Sequence, residues 1–335
     1  VYYSDNIDYC SESVMAQKMT MADISKQLGI SKMTVSRYFN GGYVSEENRI
    51  KIDAIVKENH YTPNKFARSI RSQSNIIGFI APRIESYTTS LVIKGALAAA
   101  NESNARMLFH ATGFSHESER QAVSEFNGLN ALGTIVIASK HSIEEPFYKG
   151  LENLIFIGKQ ISDHCCLYYP EQAAITALVS HTIHQLQQQQ APFTAIHYIY
   201  DARMLSLRTQ LMQSTIDHIA PALPLSLQAL ADSEQKEAYQ TVTLQPNQVY
   251  FCATDNIAIR LYRLAKEQHL KIGHDIWIVG IGDYDYSDLL VPSLTTVAFN
   301  YYQMGYQAVK KLIKRDSSSC EGQFELKIRE SSQFI

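Results

Sequence analysis

Residues 21–47 read "MADISKQLGISKMTVSRYFNGGYVSEE". Met21, Ile24 and Leu28 fall at helical spacing, Gly29 breaks the pattern, and Ser31 stands where a hydroxyl caps a second helix running to about Phe39. After Gly41 and Gly42, Ser45 with Glu46 and Glu47 opens a third helix. Acids in a first turn suit the positive end of the helix dipole, and Ile52, Ile55 and Val56 supply a face to bury. The pattern predicts a three-helix head whose second helix carries Lys32, Arg37 and several hydroxyls on its surface.

Charge sharpens this reading. The 335-residue chain carries 30 Lys and Arg against 33 Asp and Glu, a net charge of −3. Residues 15–72 hold ten basic and five acidic side chains, residues 1–14 hold three acids, and the remainder therefore carries −5. A basic head on an acidic body points the head toward phosphate, though a solvated charged face has the same composition. Length allows two or three domains, and the apolar content of 45% is ordinary for a globular chain. No apolar run reaches the roughly 18 residues of a membrane span, and the start lacks a signal-peptide pattern, so a cytoplasmic protein is expected. The five cysteines, Cys10, Cys165, Cys166, Cys252 and Cys320, form no CxxC or metal-ligand spacing and read as reduced thiols.

Outward from the head, residues 1–18 read as a disordered leader or as residues foreign to the natural chain, and 19–60 as the head. "YTPNKFARSIRSQSN" (61–75) combines a Pro-started helical turn with a polar linker; it is too short to hold a helix alone. Beyond it, apolar runs such as "IIGFIAP", "GTIVIAS", "LIFIG", "QVYFCA" and "IWIVGIG" alternate with amphipathic stretches at 90–103, 171–188, 205–218 and 256–269. Strand alternating with helix defines an α/β fold of doubly wound parallel sheets, and the length of this part favours two lobes.

Head and body together resemble the lac-repressor/gal-repressor family of bacterial transcription regulators, over roughly residues 19–330. The resemblance is carried by "MADISKQLGISKMTVSRYFNGGYVS", by the hinge-like "YTPNKFARSI", and by "CATDNIAIRLYRLAKEQHLKIGHDIWIVGIGDYDYSDLLVPSLTTVAFNYYQMG" (252–305). It implies a helix-turn-helix head and a two-lobed, periplasmic-binding-protein-like (type I) core over 76–335. Crossovers are expected near 165, 292 and 325, giving one lobe of 76–164 and 293–325 and another of 165–292 and 326–335. It also implies a sugar-operon repressor that binds a pseudo-palindromic operator as a homodimer, needs no cofactor or metal, and is released by a small sugar. No heptad pattern follows the last lobe strand, which favours a dimer over a tetramer.

Family positions then assign roles. In the recognition helix Lys32, Met33 and Arg37 are the expected base readers, since Lys and Arg donate to guanine and Met packs on a thymine methyl. Thr20, Ser31, Thr34, Ser36 and Asn40, with Tyr43, Ser45 and Tyr61 nearby, are expected to hold the DNA backbone. Ile70 takes the place of the apolar hinge wedge that enters the minor groove, usually a leucine, with Asn64 and Ala67 beside it; a β-branched wedge is stiffer. Loops at the carboxyl ends of the strands supply the expected effector contacts: Arg83, Tyr87, Lys159, Arg208, Asp255, Asp283, Phe299 and Tyr301. Hydroxyls, charges and aromatic faces are what a sugar requires, and a disaccharide such as sucrose or trehalose is the expected class. Where many family members place an acid, this chain has Gly282, with Asp283 next.

Other chemistries fit poorly. "GIGDYDYSD" has two aspartates at calcium-loop spacing but Asp288 and Leu294 where an EF-hand needs Gly and Glu. Gly280 and Gly282 alone make no dinucleotide fingerprint, "HTIHQ" lacks a zincin glutamate, and no catalytic constellation is visible, so an enzyme is not expected. Two rivals stay open: a regulator answering to a phosphocarrier protein or a nucleobase, and a solute-binding protein or enzyme on the same kind of core.

Overall fold

The computed structural model describes residues 19–39, 41–59, 61, 75–139, 148, 151–188, 193–203 and 206–333. The leader expected over 1–18, Asn40, and the hinge residues Asn64, Ala67 and Ile70 lie outside the described residues. The chain divides into two compact units between Arg71 and Ser72.

The first unit contains helices α1 (Met21–Leu28), α2 (Lys32–Phe39) and α3 (Glu46–Glu58). Thr20 caps α1 reciprocally: its hydroxyl accepts from the Asp23 N–H, while the Asp23 carboxylate accepts from the Thr20 N–H at 2.8 Å. Gly29 ends α1 in the left-handed region at φ 63°, where a side chain is disfavoured. The Thr34 N–H donates to Ser31 Oγ at 3.1 Å, so Ser31 caps α2 as its position predicts. Ser45 stands at the start of α3 but its side chain makes no cap bond, in contrast to the hydroxyl cap its sequence suggests. Ile24, Val35 and Ile55 form the centre of the packing, closed by Leu28, Phe39 and Tyr61. So small a core makes every one of its side chains count.

The second unit holds two parallel sheets. The first has strand order β11-β5-β4-β3-β1-β2, from β1 (Ile76–Ala81), β2 (Arg106–Ala111), β3 (Gly133–Ile137), β4 (Leu154–Gly158), β5 (Cys165–Tyr168) and β11 (Cys320–Glu321). The second runs β7-β6-β8-β9, from β6 (Ala195–Asp201), β7 (Leu225–Leu230), β8 (Gln248–Cys252) and β9 (Ile276–Val279). Central strands are continuous apolar runs because helices cover both faces, and β1 and β9 are buried at every position. Edge strands β2 and β7 are far more exposed.

Helices α4 (Tyr87–Glu102), α5 (His116–Gly128) and α9 (Tyr301–Lys314) belong with the first sheet; α6 (Glu171–Gln188), α7 (Ser206–Ile219) and α8 (Asp255–Glu267) belong with the second. α4 and α9 meet at two glycines. A Cβ on Gly95 would stand 1.9 Å from the Tyr302 carbonyl oxygen, and one on Gly305 1.8 Å from that of Val92, so the backbones approach as no other residue allows.

The chain changes lobe later than the sequence suggests at two of its three crossings. β5 pairs with β4 in the first sheet, so Cys165–Tyr168 does not open the second lobe and the first crossing follows Tyr168. β10 (Thr296–Phe299) lies along the second lobe, with the Gly280 and Gly282 N–H groups donating to Thr295 and Val297 carbonyls, which puts the next crossing after Phe299 rather than near 292. β12 (Phe324–Lys327) pairs antiparallel with β10, close to the third expected crossing. The run "LTTVAF" (294–299) begins just past residue 292 and carries no mark of the lobe it joins; only its backbone pairing assigns it.

Candidate functional site

In the head, α2 separates its residues by burial. Val35 is fully buried, whereas Ser31, Lys32, Met33 and Arg37 are exposed and Thr34 and Ser36 half-buried. Met33, a large apolar side chain 66% exposed, has no packing reason to be outside. Lys32 and Arg37 have no ion partner among the described residues, and the first turn of α2 carries no acid. Lys32 stands at the positive end of α2 and Arg37 in its last turn, so the helix exposes two uncommitted cations, suited to an anionic polymer. Tyr43, 89% exposed, and Ser45 and Thr20, also exposed, remain available for contacts outside the head. Tyr61 is placed differently: its ring packs on Phe39 at 5.5 Å and is half-buried, so packing is its first role. Tyr38 donates a short hydrogen bond to Asp53, tying α2 to α3 from the inner side.

In the core, a cavity of about 580 Å³ opens between the lobes. Of the eight side chains expected at the effector site, Arg83, Tyr87, Lys159, Arg208 and Tyr301 line it; Asp255, Asp283 and Phe299 do not.

Arg208 is held by Glu171, the first residue of α6. Its Nε donates to Glu171 Oε2 at 2.7 Å, Nη2 donates a short bond to Oε1, and Nη1 donates to the Ala253 carbonyl at 2.8 Å. Burial opposes the charge of Arg208, but the facing carboxylate more than offsets this and raises its pKa above the ordinary value. Tyr87, near the start of α4, reaches across the cleft: its hydroxyl donates to Asp285 Oδ1 at 2.6 Å and accepts from the Asp285 N–H at 3.0 Å. Burial, then the hydrogen bond to Asp285, pushes the Tyr87 pKa well up, and its ring lies 4.3 Å from that of Tyr284. Arg83 of the first lobe pairs with Glu234 of the second at 3.1 Å. These contacts hold the lobes together over the cavity.

The three other residues act behind the wall. Asp255 is fully buried: Oδ1 accepts from Thr296 Oγ1 at 2.6 Å, and Oδ2 accepts from Ser287 Oγ at 2.6 Å and the Tyr284 N–H at 3.1 Å. Burial raises its pKa to about 6 despite those bonds. It therefore holds the 283–287 loop, whose Tyr284 and Tyr286 do line the cavity. Gly280 is required beside it, because a Cβ there would lie 2.2 Å from Asp255 Oδ1. Asp283 is engaged by Arg329 at 2.7 Å, and Phe299 packs on Tyr169, which lines the cavity, at 5.1 Å.

Several lining groups escaped the sequence reading. Glu171 was hidden in a helix start, although the crossover "YYPEQ" (168–172) was a signal. Arg203 and Glu234 sit in polar loops, and Phe114 receives the guanidinium groups of Arg83 and Arg203 over its ring at 5.6 and 5.2 Å. Seven lining tyrosines, counted among the described residues, give apolar faces with polar edges.

A helix-turn-helix head with an exposed cationic and hydroxyl face, in one chain with a two-lobed core enclosing a polar and aromatic cavity, defines a ligand-responsive, sequence-specific DNA-binding transcription regulator. Residues 20–64 match the bacterial regulatory proteins of the lacI family, and residues 187–322 match the periplasmic binding protein-like domain. The chain is 30% identical to the sucrose operon repressor of Staphylococcus xylosus over 87% of its own length and 92% of that protein. It is 23% identical to the HTH-type transcriptional regulator TreR of Salmonella typhimurium, over 92% and 96%. The fold is that of the lac repressor dimer bound to operator, with a TM-score of 0.69 at 19% identity over 95% of this chain and all of that one. The chain belongs to the lacI family. Among the described residues no helix is long and apolar enough to cross a membrane.

Proposed function

We propose that this protein is a cytoplasmic repressor of a carbohydrate-utilisation operon that acts as a homodimer and leaves a pseudo-palindromic operator when a small sugar fills the cavity between its lobes. The observation that carries the reading is the cavity itself: tyrosine faces for sugar rings, and the Arg208–Glu171 pair offering donors and acceptors to adjacent hydroxyls, in a chain that also bears a DNA-reading head. Relatives named as sucrose, trehalose and ribose repressors support this class of effector, and a disaccharide suits the cavity's size. Lys32, Met33 and Arg37 read bases, and the exposed hydroxyls around them hold phosphates. In the hinge, Ile70 enters the minor groove between the two subunits. Effector binding shifts the contacts that Tyr87 and Arg83 make across the cleft and so alters the hinge. The coupling amounts to about 1–3 kcal/mol, reciprocal between cavity and operator. The role requires no bond-breaking chemistry.

Fluorescence anisotropy of the full chain on its own upstream DNA, titrated with salt and with mono- and disaccharides, tests the reading. Steep salt dependence with release by one sugar is expected. Salt-steep binding indifferent to every sugar would move a protein or nucleobase corepressor ahead, and no promoter binding would remove the repressor reading altogether.

A further inference from the structure

The geometry points to an effector that is an uncharged, unphosphorylated carbohydrate; this rests on the sugar reading above and narrows it. Among the described residues four cationic side chains line the cavity, and three of them are already committed to carboxylates. Arg208 is bound in fork geometry by Glu171, with side chains only 17% and 14% exposed. Arg203 donates to Asp201 at 2.7 and 3.0 Å and makes a short bond to Asp232. Asp201 is itself buried and receives the Ser233 N–H at 2.8 Å; burial opposes its ionisation, but Arg203 and that N–H hold its carboxyl down at about 2. Arg83 is paired with Glu234.

Lys159 is the remaining cation and has no ion partner among the described residues. Among the described residues five carboxylates face these four cations: Glu85, Glu171 and Glu234 in the lining, and Asp201 and Asp232 directly behind Arg203. A dianionic phosphate entering this field meets one free ammonium and a surplus of negative charge. To gain a guanidinium fork it would have to displace a carboxylate from a largely buried pair, leaving that carboxylate uncompensated. The Arg83–Glu234 pair is the most exposed of the three, and releasing it opens one of the contacts that join the lobes. A neutral polyol asks for none of this. The paired guanidinium and carboxylate groups keep further N–H donors and oxygen lone pairs, and those match adjacent hydroxyls while the tyrosine rings cover the apolar ring faces.

The test is calorimetric titration of the full-length protein with sucrose, trehalose and ribose, each beside its monophosphate ester (sucrose 6-phosphate, trehalose 6-phosphate, ribose 5-phosphate), at low and high salt. The expected result is that one neutral sugar binds at least tenfold more tightly than its ester, with affinity changing less than about twofold between about 50 and 500 mM KCl, since no ligand charge is there to be screened. A phosphate ester that binds as tightly as its parent, or more tightly with an affinity that collapses at high salt, overturns the inference while leaving the sugar reading in place. If no carbohydrate binds in either form, both fall together.

Discussion

Replacing Asp255 by asparagine isolates a single buried charge. In the folded chain its carboxyl titrates near 6, because burial opposes the anion more than the three hydrogen bonds favour it; unfolded, it titrates near 3.8. A raised carboxyl pKa means that the folded state holds the proton more tightly than the unfolded state. Protonation therefore stabilises the fold, and this contribution grows as pH falls from above 6 toward 4. Between pH 7 and pH 5 linkage gives about 1.4 kcal/mol. Asparagine is nearly isosteric: its oxygen can accept from Ser287 and the Tyr284 N–H, and its amide can donate to the rotatable Thr296 hydroxyl. The fluorescence of the chain's one tryptophan, Trp277, buried in β9 of the same lobe, reports urea unfolding. Histidines also titrate in this window, so the informative quantity is the pH 5 minus pH 7 stability of the wild type compared with that of Asp255→Asn. The wild-type increment is expected to exceed the variant's by about 1.4 kcal/mol. Equal increments would refute the assignment of a buried, proton-binding Asp255. Alanine at the same place is expected to cost about 3 kcal/mol at neutral pH, because it leaves two hydroxyls and an N–H without their acceptor.

Other substitutions examine the remaining parts. Arg37→Ala is expected to weaken operator binding by about 1–3 kcal/mol while leaving the melting of the core unchanged, which anisotropy and Trp277 fluorescence would separate. Glu171→Gln leaves the buried Arg208 uncompensated and should cost about 3 kcal/mol of core stability in urea titrations, with sugar binding lost; Glu171→Gln paired with Arg208→Met should recover part of the stability but not the binding. Gly95→Ala forces α4 and α9 apart against a backbone carbonyl, so a loss of at least about 3 kcal/mol is expected in thermal unfolding of the first lobe, well beyond a surface Gly→Ala change.

Much of this molecule was legible in one dimension. The head followed from local chemistry: Ser31 as a cap, Gly29 at the turn, and an apolar stripe at helical spacing all act within a few residues of one another, while the cap by Thr20 was not read and that expected of Ser45 is not made. The buried strands announced themselves because parallel sheets covered on both faces need continuous apolar runs. The charge asymmetry was compatible with phosphate or with a solvated face, and the helix pattern of the head, with its family resemblance, pointed it to DNA. The strands β5, β7 and β10 were harder, since short or edge strands carry little pattern and gain their identity from a neighbour's backbone. The same limit applied to the cavity. Sequence could nominate loops at strand ends, and five of its eight candidates reach the cavity wall. It could not distinguish Asp255, turned inward to three donors, from its neighbours Thr254 and Asn256, which line the cavity. Nor could it pair Arg208 with Glu171, Tyr87 with Asp285, or Arg83 with Glu234, residues 37, 198 and 151 positions apart. Helix caps, turns and amphipathic faces are short-range and so are written in the sequence; which charge neutralises which, and therefore what charge is left for a ligand, is decided only when the chain crosses between its lobes and brings distant side chains together.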